Sequence, residues 1–373
     1  MGTLNNGYPS RARVLDAELI EWLDRNADGL DTRADAADTL LSRLASANLL
    51  RVGVPIAQDG DGGNTVDAIL AIAAVAEHSL TAAFVFWAQR TFIEYLLQSP
   101  NVGLSERWMP ALLSGTHAGA TGLSNAMKFL SGIESLQVQA TPAAREGTDR
   151  WHLDGKLAWV TNLRATGFIV AAAVAHDSGN NASIFAIPHD AQGVTRSADL
   201  DLMALRGSNT AALGFSRVAL DAQWQIHPDA QSFLPRVRPA FLGMQCGLSI
   251  GLIRRSIAQA RRLGDATRDI LGHEITALAD ACEQACKRLA DGVASGVFET
   301  RPAPLFEIRI ELADLVSRAV YLELQASGGR SYVRSAGLGF ERRLREAAFV
   351  PIVTPSLVQL KSQLRVHAQS AIA

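Results

Sequence analysis

Apolar residues recur three and four positions apart early in the chain: Leu19, Trp22 and Leu23, then Leu40, Leu41, Leu44, Leu49 and Leu50. That spacing gathers them on one helical face and predicts two amphipathic helices within 14–50. The helical pattern resumes over 66–98, and 106–114 forms a shorter helix. Between them, Pro55 and the run Asp59-Gly60-Asp61-Gly62-Gly63 predict a solvated turn, since the residues that would complete an EF-hand loop do not follow. Near Gly115 the pattern changes to short β-favouring runs at 136–141, 151–154, 157–161, 168–174, 183–187 and 211–220. Asp154-Gly155, lying between two of these runs, predicts a tight hairpin turn because that turn needs positive φ. After Phe233 helical spacing returns in long segments at 235–263, 273–294, 305–326 and 356–370, which suit a bundle. The expected fold class is α+β: an N-terminal helical domain (1–115), a central β-barrel or sandwich domain (116–230) and a C-terminal helical bundle (231–373).

Composition narrows the function classes. With 48% hydrophobic and 19% charged residues in a chain of 373, there is ample apolar surface for a core and too little charge for disorder. The formal net charge of −2 comes with no basic stripe, which argues against a nucleic-acid partner. The most apolar stretches, 168–175 and 241–253, are too short to span a bilayer, and residues 1–13 lack the apolar run of a signal peptide. A soluble, cytoplasmic protein with no membrane partner is the expectation, and three cysteines fit a reducing compartment. Cys282 and Cys286 share a helical face with His273 nearby, but their spacing matches no zinc pattern, so no metal is expected. The sequence has no G-x-G-x-x-G after a strand, no Walker A run, no G-x-S-x-G and no H-E-x-x-H. His273-Glu274 reads as a pair at a helix start.

Several spaced features together are more specific than any one of them. Residues 151–162 read Trp-His-Leu-Asp-Gly-Lys-Leu-Ala-Trp-Val-Thr-Asn, and Gln325 precedes the pair Gly328-Gly329. Val54-Pro55 with Gly62-Gly63, the run 205–210, Arg238-Pro239 nine residues before Gly247, and the Arg-rich 342–347 complete the set. Over almost its whole length the chain resembles the acyl-CoA dehydrogenase superfamily of flavoproteins. The resemblance implies an FAD-dependent oxidoreductase acting on a small-molecule substrate, an acyl-CoA, an acyl carrier thioester or a related compound. It also implies a homo-oligomer, dimer or tetramer, with an electron-transfer partner.

A flavin is a flat ring with a polar edge, so its site needs an apolar wall and hydroxyls or amides at that edge. The resemblance puts Trp159 against the ring and Thr161 near its reactive nitrogen. It gives Thr121 to the pyrimidine edge and Ser124 to a phosphate, although 120–125 is three residues shorter than the family's strand and lacks its Glu-Pro and Asp. Gln325, Gly328 and Gly329 would reach the adenosine of FAD in a neighbouring subunit. The family's Arg-x-x-Phe-Gly element is poorly kept around Arg261 and Arg262, where Leu263-Gly264-Asp265 follows.

Dehydrogenation of an acyl thioester needs a carboxylate to take the α-proton. Where most of the family carries that Glu, this chain has Val353 or Thr354; where a minority carries it, the chain has Val237. Glu94, Asp201 and Asp265 are substitutes, each more readily a solvated surface charge. No catalytic residue is assigned. Two further readings follow: a flavin monooxygenase fed reduced FMN or FAD as co-substrate by a reductase partner, and a catalytically silent flavin- or acyl-binding subunit. The monooxygenase branch tends to carry a His after the Arg-rich segment; 346–360 has none, and His367 lies farther along.

Overall fold

The computed structural model describes residues 15–35, 37–130, 132, 134–143, 150–176, 182–262 and 265–370. Five helices come first: α1 (Ala17–Thr32), α2 (Leu40–Ser46), α3 (Thr65–Ala76), α4 (Leu80–Leu97) and α5 (Val102–Leu113). The stretch 66–98, expected as one helix, is two. The Ser79 side chain accepts from Ala82 N–H, capping α4 and breaking the chain away from α3. The Asp/Gly run is a turn closed by a bridge between Val54 and Gly62.

The middle of the chain holds β1 (Ala118–Thr121), the short helix α6 (Ser124–Leu130), β2 (Val138–Pro142), β3 (Arg150–Val160), β4 (Phe168–His176), β5 (Ala182–Pro188), β6 (Val194–Asp199), β7 (Ala211–Asp221) and β8 (Gln225–His227). They form a mixed sheet in the order β6-β7-β3-β2-β4-β5-β8, with β1 parallel to the first half of β4. The hairpin expected at Asp154-Gly155 is absent; both residues lie inside the continuous strand β3. Gly155 does take positive φ, +139°, but the ladder to β7 shifts register there, so the glycine makes a bulge. A Cβ at that position would stand 2.1 Å from the carbonyl oxygen of Gln137, just before β2. Sequence reading missed β1, whose Ala-Gly-Ala-Thr carries no β-branched signal until its last residue.

The bundle comprises α7 (Ala230–Arg261), α8 (Asp265–Ala294), α9 (Val297–Thr300), α10 (Ala303–Ser327), α11 (Phe340–Phe349) and α12 (Leu357–Ser370). His273-Glu274 therefore sits in the middle of α8, not at its start. α7 packs on α3 almost without side chains between them. A Cβ on Gly247 would be 2.8 Å from the Ile69 carbonyl oxygen, and one on Gly251 2.2 Å from that of Ala73. The two backbones touch only because both residues are glycine, which fixes the position of α7 along its length. Helical parts at both ends around a central mixed sheet give the expected α+β class. No described helix is long and apolar enough to cross a membrane.

Candidate functional site

The sequence-predicted residues fall into two groups. Thr121 ends β1, Trp159 lies near the end of β3, and Thr161 follows that strand directly. Gly122 lies between them: a Cβ there would be 2.5 Å from Leu157 of β3. Trp159 is 64% exposed while its neighbours Val160 and Thr161 are buried, an uncovered aromatic wall beside buried hydroxyls. Thr161 Oγ1 lies 3.1 Å from Thr210 Oγ1, which is 2.8 Å from Ser208 Oγ, so three hydroxyls run in a chain. Thr121 Oγ1 meets the Tyr95 hydroxyl at 2.8 Å, and complete burial holds that phenol protonated, far above its ordinary range. Ser124, which the resemblance gives to a phosphate, opens the short helix α6.

Gln325, Gly328 and Gly329 form the second group at the exposed end of α10. Gln325 also lines a cleft of about 520 Å³ between α8 and α10, with His273, Glu274, Arg318 and Tyr321. Open space surrounds Gly328 and Gly329 where a Cβ would stand.

Gln89, on α4, is a residue that sequence reading missed. Its Oε1 accepts from Gly119 N–H at 2.6 Å and from Asn162 Nδ2 at 2.9 Å; its Nε2 donates to the carbonyls of Leu112 at 2.9 Å and His117 at 3.0 Å. Asn162, at φ +65°, also donates to the Gly119 carbonyl at 2.9 Å. One buried amide thus ties α4, the end of α5, β1 and the turn after β3, so Thr121 and Thr161 share a single support. Only the burial of a polar residue amid apolar helix could have signalled it, and burial is not written in the sequence.

His117 borders this corner, its ring 6.5 Å from His189 and 5.3 Å from Trp108. Burial, then the charges of His189 and Arg164, hold it below its ordinary 6.5 against the opposing pull of Asp190. The unfolded chain binds that proton more readily. The stabilising contribution is therefore full above the unfolded value of about 6.5 and is lost as pH falls through the lower folded value. Thermal midpoints measured from about pH 8 down to about pH 5 should fall more steeply in the wild type than in His117→Gln; parallel curves would reject this.

Of the positions examined for a base, Val237 on α7 and Val353 after α11 are buried and apolar. Glu94 is no surface charge: it is 6% exposed, paired with Arg90 at 3.0 Å and Gln98 at 3.1 Å. Asp201 is an exposed surface carboxylate paired with Arg206. The Asp265 side chain lies outside the described residues. Around the two valines the bundle carries cations. Arg238 has its guanidinium 5.6 Å above the Phe306 ring, and Arg309 donates from Nε to Gln245 at 3.1 Å and from Nη2 to the Val350 carbonyl at 2.7 Å. Gln245 donates in turn to the Thr354 carbonyl at 3.1 Å, so the Gln245–Arg309 pair grips both ends of 350–354. Tyr95 joins this region to the sheet, its ring 6.1 Å from Phe233 of α7 and its hydroxyl on Thr121. His367, on α12, stands 6.3 Å from the same Phe306 ring.

No family model matches the chain. A Bacillus subtilis protein named an acyl-CoA dehydrogenase is 23% identical over 350 residues, covering 88% of each chain. Among solved structures, the butyryl-CoA dehydrogenase of Megasphaera elsdenii superposes with a TM-score of 0.75 over 96% of this chain and 94% of its own, at 18% identity. These likenesses give the chain the acyl-CoA dehydrogenase fold and make it similar in sequence to proteins of that superfamily. A prolyl acyl carrier protein oxidase shares the same fold at a TM-score of 0.75 and 16% identity, over 94% of this chain and 97% of its own. In this chain the α-β-α order, the Trp159–Thr161 strand end and the Arg-rich α11 stand in one architecture. Among the described residues no group of three or more His, Cys, Asp or Glu side chains is placed to hold a metal ion.

Proposed function

We propose that this acyl-CoA dehydrogenase-like chain is a flavin-dependent oxidoreductase that acts on an acyl thioester, carried on coenzyme A or on an acyl carrier protein. The observation that carries the reading is Trp159, a large aromatic left 64% exposed at a strand end next to buried Val160 and the buried hydroxyls of Thr161, Thr210 and Thr121. An apolar wall with polar groups at its rim is the donor set a flavin ring requires. Trp159 would cover a ring face, Thr161 and Thr121 would reach its polar edge, Ser124 would meet a phosphate, and Gln325 with Gly328 and Gly329 would serve the adenosine end across a subunit contact. A bound flavin supplies two-electron acceptance. The chain's own part is to exclude water with Val237, Val353 and Phe306, and to fix its segment 350–354 through Gln245 and Arg309.

The apolar residues at both expected base positions favour, as a second reading, a monooxygenase that uses reduced flavin and oxygen and needs no α-proton base. The absorbance spectrum of the purified protein, followed by titration with oxidised and reduced FAD and FMN, separates these readings. A yellow protein bleached anaerobically by acyl thioesters supports dehydrogenation. A colourless protein that retains reduced flavin and slows its reoxidation supports the monooxygenase, and one that binds neither form overturns both. Trp159→Ala and Thr161→Val should each weaken flavin binding by roughly tenfold; unchanged affinity would reject this placement of the ring.

A further inference from the structure

The buried charges of the chain can be accounted for one by one. Four carboxylates are buried among the described residues, and each has an arginine: Asp31 with Arg345, Glu94 with Arg90, Glu323 with Arg343 and Glu346 with Arg342. Of the four buried arginines, Arg90, Arg342 and Arg343 are matched by these carboxylates, and Arg309 is left over. Its acceptors are neutral, an amide and a carbonyl, and its Nη1 has no partner. Arg238, half-buried on α7, makes no ion pair among the described residues, and its buried Nε has no partner either. Desolvation alone pushes the Arg238 guanidinium down to about 10, with no neighbouring carboxylate acting against it. Contact with the Phe306 ring returns only part of what hydration would give.

Both cations belong to the packing of α7 on α10. Arg238 lies over Phe306, and Arg309 follows Phe306 by three residues on α10, bonded to Gln245 two turns beyond Arg238 on α7. Of the positions where a carboxylate was expected, Val237 directly precedes Arg238 on α7, and Val353 lies in the 350–354 segment that Arg309 and Gln245 hold. The charge at this end of the site is thus inverted, with cations held ready and the negative partner missing. A desolvated guanidinium offers a fork of donors that suits a carboxylate in two-point contact. A hydrated pyrophosphate suits a half-buried guanidinium lying over the Phe306 ring less well.

We infer that Arg238, supported by Arg309, receives a carboxylate on the acyl group of the substrate, so that the acyl chain enters the bundle with its charged end between α7 and α10. This rests on the thioester reading above. It divides substrates by their far end: acyl groups ending in a carboxylate are held, and those ending in a methyl are not.

The test is calorimetric binding of two pantetheine thioesters of equal chain length, succinyl and butyryl, to the full chain. Neither probe carries a phosphate, so any charge preference comes from the acyl end. Wild type should bind the succinyl thioester roughly tenfold to a hundredfold more tightly. Arg238→Gln should remove that preference, and Arg238→Lys should keep part of it. Because Arg238→Gln also removes an unmatched desolvated cation, its denaturation midpoint should equal or exceed that of the wild type; a purely structural arginine would lower it. Equal binding of both thioesters by the wild type overturns the inference and leaves the thioester reading standing. Binding of neither overturns both. A preference that emerges only with the coenzyme A thioesters, and depends on Arg238, assigns the cation to the carrier and overturns the inference.

Discussion

Glu323→Gln is expected to lower the free energy of unfolding by about 3–5 kcal/mol, because it leaves a buried guanidinium without its counter-charge. Arg343 and Glu323 are each 1% exposed, and Arg343 donates from Nε at 3.0 Å and from Nη2 to the two carboxylate oxygens. The same Nη2 donates to the Leu338 carbonyl at 2.7 Å. The glutamine keeps the shape and one acceptor but loses the charge, so the loss reports electrostatics and not a cavity. The pair joins α10 to α11. Gln325, Gly328 and Gly329 lie at the end of α10, and 350–354 follows α11, so both ends of the candidate site hang from this contact. Urea unfolding should show a lower midpoint at unchanged slope. A shift below about 1 kcal/mol would mean that water reaches the pair.

Gln89→Leu should act on stability and cofactor together. The substitution keeps the volume but strands the Gly119 N–H, one donor of Asn162 and the His117 carbonyl, while the Leu112 carbonyl keeps the Gly115 N–H at 3.2 Å. At about 1–3 kcal/mol for each of the three buried groups left unpaired, the total is on the order of 3 kcal/mol or more. Thr121 and Thr161 lose their common support, and flavin affinity should fall by at least roughly tenfold. Gln89→Glu retains the two acceptor bonds and loses the two donor bonds, so it should lie between. Denaturation monitored alongside flavin fluorescence checks this. Loss of stability with full flavin affinity would show that the threonines are held by the sheet alone.

How much of this was legible in the sequence depended on the kind of interaction. Helices with a one-sided apolar stripe, such as α1, and strands rich in β-branched residues, such as β4, announced themselves because local spacing determines them. Gly155 was legible in its positive φ but not in its role. A glycine between two β runs reads as a turn, and only the ladder to β7 shows that the strand continues through it as a bulge. β1 was hidden because small residues serve a strand that is buried on both sides. At the site, Trp159 and Thr161 were found through resemblance and lie together at a strand end. Glu94 was misjudged as solvated, since nothing near it in sequence except Arg90, one helical turn away, hints at burial. Gln89, Arg238 and Arg309 matter through partners 23 to 73 residues distant or through a partner that is absent, and neither is visible to a reading by spacing.

The glycine contacts between α3 and α7 bear on how this scaffold can be reprogrammed. A helix seated backbone to backbone cannot slide or roll to relieve a change at its surface, so a new side chain at 237 or 238 is presented where the old one stood. The bundle then behaves as a fixed ruler on which chemical groups are exchanged mark by mark. Drift at those two marks can alter what the site accepts while the architecture stays the same, and a laboratory library confined to them would sample substrate choice with little sampling of misfolded forms.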